Sequence, residues 1–144
     1  MSINITKPDD FFGHQLGADR KLAHWNKIVE YFWELDKSPM VKVEELGEST
    51  EGNPFLLAII TSETNMERLD KIREMSWKLA HPKDVSEKEI ERIIEEGVAV
   101  VSMSMSIHAT EVGGTQMAPE LVWELISLPE NREILENTVL LMFP

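Results

Sequence analysis

The 144-residue chain contains no cysteine. That removes disulfides, thiolate zinc sites and cysteine nucleophiles together, and leaves the redox compartment open. Long apolar runs are missing too. The longest, Phe55–Ile60, spans six residues, whereas a membrane-crossing helix needs about 20. The opening segment MSINITKPDDFF has no apolar signal core, so a cytoplasmic protein is expected. Basic residues are scarce: 14 Lys and Arg against 26 Asp and Glu give a net charge of −12. Such a surface repels phosphate backbones and argues against nucleic-acid binding. HExxH, GxxxxGK[ST] and GxSxG are all absent.

What remains is globular. At 42% hydrophobic and 28% charged residues, the chain is too apolar for disorder and has the length of one modest domain. Residues 1–18 read as an N-terminal arm anchored by Phe11 and Phe12 and interrupted by Gly13 and Gly17. A helix is expected from the N-cap candidate Asp19 to Asp36, with Leu22, Trp25, Ile28, Val29, Phe32 and Leu35 as its apolar stripe. Val41–Leu46 alternates, GESTEGNP over residues 47–54 is dense in turn formers, and Phe55–Ile60 is continuously apolar. Together they predict a hairpin with a polar outer strand and an inner strand covered on both faces.

A second helix is expected over residues 65–80, through Met66, Leu69, Ile72, Met75, Trp77 and Leu79. A third opens on the capping box Ser86–Glu89 and buries Ile90, Ile93 and Ile94, with Gly97 as its stop. Val98–Ile107 reads as a strand. Its methionines, Met103 and Met105, alternate with serines, which suits core filling better than soft-metal binding. A helix to about Leu128 is expected to turn Met117, Leu121, Val122, Leu125 and Ile126 inward, with Pro119 in its first turn. A short helical turn over Pro129–Leu135 and a buried-type strand at Thr138–Pro144 complete the order.

Strands alternating with helices imply crossovers, so the expected fold class is α/β: a mixed, mostly parallel sheet flanked by helices. The final strand is apolar with nothing after it to cover it, which reads as a piece of something longer. An unpaired edge or uncovered face on that strand would promote self-association.

Ligands of open α/β sheets bind beyond the carboxyl ends of strands. The loop after Ile107 lies at such an end and carries His108-Ala109-Thr110-Glu111, then Val112-Gly113-Gly114. Imidazole and carboxylate are both zinc ligands, and at i and i+3 on a turn entering a helix they can converge. A third ligand from elsewhere would leave a position open for water, as a catalytic zinc requires. Gly113 and Gly114 are expected to let a substrate approach the backbone. With 20 Glu in the chain, a Glu three places after any one His has about a one-in-seven chance, so position rather than spacing gives the motif its weight. The alternative is a capping His or Glu with no metal. His14, His24 and His81 read as loop, surface and helix-end residues, and the acidic run Ser86–Glu96 as a solvated helix face.

At these residues the chain resembles a known family. Ser106–Glu111 (SIHATE) resembles the HxxE zinc motif of the zinc carboxypeptidases, the carboxypeptidase A/B-like metallopeptidases. Phe11–Leu35 is similar to the opening helix of a microbial branch, Leu46–Phe55 to its first hairpin, and Val139–Pro144 to the strand leading into its Asn-Pro-Asp-Gly segment. The resemblance implies that residues 1–144 are the N-terminal portion of one zinc carboxypeptidase-like catalytic domain. His108 and Glu111 would be two ligands of a single zinc. The third ligand, the general base and the substrate-binding arginines would lie beyond Pro144. It implies a parent enzyme that hydrolyses C-terminal residues from peptide substrates, and a chain that is catalytically incomplete by itself. Digestive members often carry Arg just before the motif glutamate; here that residue is Thr110, which leaves substrate preference open. Two other readings compete: a non-catalytic α/β interaction module on the same scaffold, and an unrelated α/β domain with a chance HxxE.

Overall fold

The computed structural model describes residues 5–144; the first four residues of the N-terminal arm lie outside the described residues. Four strands form one sheet: β1 (Val41–Glu48), β2 (Pro54–Ile60), β3 (Ala99–Ser104) and β4 (Thr138–Phe143), in the spatial order β1-β2-β4-β3. The helices are α1 (Pro8–Phe12), α2 (Trp25–Leu35), α3 (Glu63–Met66), α4 (Leu69–Ala80), α5 (Glu87–Glu96), α6 (Gly113–Ser127) and α7 (Arg132–Asn137).

The sheet is mixed but not mostly parallel. β1–β2 and β2–β4 are antiparallel, and only β3–β4 is parallel. The expectation failed because an intervening set of helices does not by itself make a crossover. Ile60 at the end of β2 is level with Leu140 near the start of β4, and Ala99 at the start of β3 is level with Thr138. The connection through α3, α4 and α5 therefore returns the chain to the sheet end it left. Only α6 and α7 carry it across.

Burial follows from period-two alternation. Leu140 and Met142 of β4 join Leu56, Ala58 and Ile60 of β2 under Ile28, Phe32 and Leu35 of α2 and Val122 of α6. Val139 faces the other way, onto Ile72 and Met75 of α4 and Ile93 of α5. The first cluster holds 15 buried residues against 4 in the second. At about 1.5–3 kcal/mol per fully buried apolar side chain, the α2/α6 face supplies most of the hydrophobic stabilisation. The final strand is thus internal, and the sheet's edges are β1 and β3. Along β2 burial alternates, and Phe55 is exposed and stacked on Phe143 with ring centroids 5.8 Å apart. Covering on both faces is confined to the strand's inner half.

Other departures have two causes: tertiary polar contacts override local pattern, and the four-stranded sheet covers only part of each helix. The long first helix begins at Trp25, with His24 rather than Asp19 at the N-cap, and Leu22 is 64% exposed. The helix expected over 65–80 is broken between α3 and α4, where the Asn65 side-chain oxygen accepts from Arg68 Nε (3.1 Å) and Nη2 (2.8 Å). Trp77, Leu79, Ile94 and Met117 are exposed rather than buried. Pro119 sits in the second turn of α6, buried, where it forgoes the bond to the Thr115 carbonyl. The capping box holds: Ser86 Oγ accepts from Glu89 N at 3.3 Å. The Arg92 guanidinium beside it holds the Glu89 carboxyl down at about 2.

β4 is fixed at its start by a buried polar knot. The Leu135 carbonyl accepts from Ser62 N, Thr61 Oγ1 and Asn65 Nδ2, each at 3.1 Å. Thr61 Oγ1 lies 2.7 Å from the Thr138 carbonyl, and Asn65 Nδ2 donates to Glu136 O at 2.9 Å. Asn65→Leu leaves these buried groups short of donors and is expected to cost about 2 kcal/mol, read as a fall in the urea midpoint; an unchanged midpoint would show the knot to be incidental.

The sheet's two edges differ. β1 carries Lys42, Glu44, Glu45 and Glu48 and a register shift between Glu45 and Gly47, which blunt strand addition. β3 is uncharged, with Val100 and Val101 44% and 42% exposed. The chain is expected to self-associate through β3, more strongly at high salt, where the repulsion from −12 is screened. Val101→Lys should restore a monomer in sedimentation velocity, and a wild-type monomer at every concentration would sink the idea.

Candidate metal centre

β3 delivers the chain to the sheet end shared with the carboxyl end of β4, and Met105 N still donates to Phe143 O at 2.9 Å. The chain then leaves the sheet. Ser104 Oγ donates to Ser106 O at 3.1 Å, and the Ser106 hydroxyl lies 3.1 Å from the His108 carbonyl and 3.2 Å from that of Glu111. Glu111 N donates to His108 O at 2.9 Å and closes the turn. A turn closed this way brings its end α-carbons within about 7 Å. His108 and Glu111 therefore leave the backbone at neighbouring points, and both are exposed.

His108 lines a cleft of about 220 Å³ together with Ala23, Trp25, Ile28, Val112 and Gln116. An adjoining cleft of about 460 Å³ runs between Leu16–Leu22 of the N-terminal arm and Val112, Gly113 and Gln116. A third, of about 390 Å³, lies by Ser62, Arg132 and Glu136, at the sheet end where β2 stops and β4 starts, away from the motif.

The donor types suit zinc, and the turn offers them side by side. Among the described residues, however, no group of three His, Cys, Asp or Glu is placed to hold a metal ion. The pair fits as part of a ligand set, not as a whole one. The other histidines stand apart in role. His81 stacks on Trp77 with ring centroids 3.9 Å apart and hydrogen-bonds its carbonyl at 3.0 Å. His14 bonds the Gln15 carbonyl, and His24 heads α2 without a side-chain cap bond.

Of the two glycines, Gly114 does different work from that expected. A Cβ on Gly114 would lie 1.7 Å from the Met105 carbonyl oxygen, whereas one on Gly113 would meet nothing within 4 Å. Gly114 exists for the molecule's own packing, letting the first turn of α6 lie against the exit of β3. Sequence reasoning also passed over Gln116. It is 7% exposed, and its carboxamide brackets Ala23: Oε1 accepts from Ala23 N at 2.7 Å, and Nε2 donates to Ala23 O at 2.9 Å. These bonds draw Ala23 out of any helical ladder, which is why α2 starts late. The signal was a glutamine on the face of α6 that buries Pro119 and Val122.

With the geometry in place, comparison with known families is decisive: the family model described as zinc carboxypeptidase matches residues 28–144. The chain belongs to the zinc carboxypeptidase family. The match takes in the hairpin, the His108–Glu111 turn and β4. A search of curated proteins finds no match. Hydrolase chemistry and zinc dependence are properties of that family.

Gly114→Ala is expected to cost at least about 2 kcal/mol, since a backbone carbonyl must move. Gly113→Ala, in open space, should be neutral or stabilise α6 by up to about 1 kcal/mol. Urea denaturation of the two variants side by side checks this; equal midpoints would refute the close-packing role.

Proposed function

We propose that this chain supplies the His–Glu half of a zinc carboxypeptidase active site, of the carboxypeptidase A/B type, with His108 and Glu111 as two of the zinc ligands. The observation that carries the reading is the HxxE turn itself. It is closed by its own backbone bond, exposed, and set at the carboxyl end of β3 within a family-matched domain. A catalytic zinc takes three protein ligands and keeps one position open, and the described residues bring together only two. The third ligand and the general base are therefore proposed to come from outside residues 5–144.

When bound, zinc supplies Lewis acidity toward a carbonyl oxygen and toward water. The chain's own residues have simpler tasks. His108 presents a ring nitrogen and Glu111 its carboxyl group, Ser106 holds the turn through its two carbonyls, and the cleft beside His108 gives an apolar wall of Ala23, Trp25 and Ile28. The substrate class is a peptide from which a C-terminal residue is released. By itself the chain is proposed to turn over no such substrate, with the proton-transfer and charge-stabilising groups supplied, like the third ligand, from outside residues 5–144.

Metal titration of the full 144-residue chain tests the reading. Cobalt(II) or zinc should bind weakly, and His108→Ala and Glu111→Gln should each lower the affinity roughly tenfold or more without moving the urea midpoint, since both residues are exposed. Equal uptake by wild type and both variants would overturn the assignment and favour a non-catalytic interaction module.

A further inference from the structure

We infer that Gln116 is a positioning residue for the His108–Glu111 turn, acting as a latch that holds the N-terminal arm across the first turns of α6. The inference rests on the zinc reading above and names a residue outside the ligand set.

The latch is a complete one. One carboxamide satisfies both backbone groups of Ala23, at 2.7 and 2.9 Å, across 93 residues of sequence. A planar amide that bonds both the N–H and the C=O of one residue reproduces the paired bonds of a strand ladder, and it is almost wholly buried. Its place matters more than its strength. Gln116 N donates to Val112 O at 3.0 Å, so the latch is one helical turn from the residue that follows Glu111. Its other end, Ala23, forms the wall of the cleft into which His108 faces, together with Trp25 and Ile28. Gln116 also lines the adjoining cleft, so both clefts share it as a partition.

The arm needs holding. Arg20, three residues before Ala23, has φ 60°, the one non-glycine positive φ among the described residues. A side-chain-bearing residue in the left-handed region persists only where its surroundings impose it. Release of Ala23 lets Arg20 relax, frees the arm, and removes the fixed wall opposite His108. The exposed Arg20 and Lys21 then become a built-in reporter, because trypsin cuts after both.

The test compares the full-length wild type with Gln116→Leu, Gln116→Glu and, as a control, Ile93→Val in the opposite cluster. Two quantities are read: the native-state tryptic cleavage rate after Arg20 and Lys21, and cobalt(II) affinity. Gln116→Leu should be cut roughly tenfold faster and bind cobalt roughly tenfold more weakly, the effect of losing about one good hydrogen bond. Gln116→Glu keeps the acceptor for Ala23 N, loses the donor, and should fall between; it carries the test if Gln116→Leu does not fold. Ile93→Val should lower the urea midpoint and leave both readouts alone. If Gln116→Leu is cut no faster than wild type, the latch is overturned. If the arm is released but cobalt binds as before, the positioning role is overturned and Gln116 is merely structural. If wild type itself takes up no cobalt, the zinc reading falls and the positioning role falls with it.

Discussion

Everything the chain presents at its motif end depends on where β4 goes, and the start of β4 is tied to the end of β2 by the polar knot centred on the Leu135 carbonyl. Leu135 O gathers donors from Ser62, Thr61 and Asn65, all just beyond the end of β2. A buried carbonyl with fewer partners is expensive, so the segment before Thr138 has one low-energy place, beside β2. From there β4 can only run antiparallel to β2, and β3 takes its other side in parallel. The carboxyl end of β3, and with it His108, is placed by a knot at the far end of the sheet.

At the motif end itself the logic is repeated with other means. The turn carrying His108 and Glu111 is exposed and makes little contact of its own. Its shape comes from three neighbours: the Ser106 hydroxyl under its carbonyls, the bare Cα of Gly114 against Met105, and the Gln116 amide on the arm. Exposure leaves the donor side chains accessible, and the backbone beneath them is braced. That division suits a site that must meet an ion and a substrate while keeping its geometry.

The parts legible in the sequence were those written in local terms. The hairpin followed from its turn residues and strand alternation, the start of α5 from the Ser86 box, and the placing of His108 and Glu111 on a turn at a strand exit from the alternating run before them. The parts that were not legible are set by contacts between distant residues. Nothing near Asp19 says that α2 begins six residues later, because the cause is Gln116. Apolar periodicity placed Leu22, Trp77, Ile94 and Met117 in the core, yet the sheet has four strands and covers only part of each helix. Strand direction was misread because alternation of elements carries no record of which sheet end a connection returns to. Gly114 was noticed for the right property, closeness of approach, and assigned the wrong partner.

The insertion of β4 between β2 and β3 also governs the order in which the molecule can fold. The β1–β2 hairpin is local and closes early, whereas the knot joins residues 74 positions apart and the arm latch residues 93 apart. Loop-closure entropy must be met before either gives anything back. Until residues 138–143 have been synthesised, the inner edges of β2 and β3 have no neighbour, and the apolar faces of α2 and α6 have an incomplete floor. A nascent chain stalled before that strand would hold a finished hairpin and an open gap in the middle of its sheet, a state that invites chaperones or aggregation.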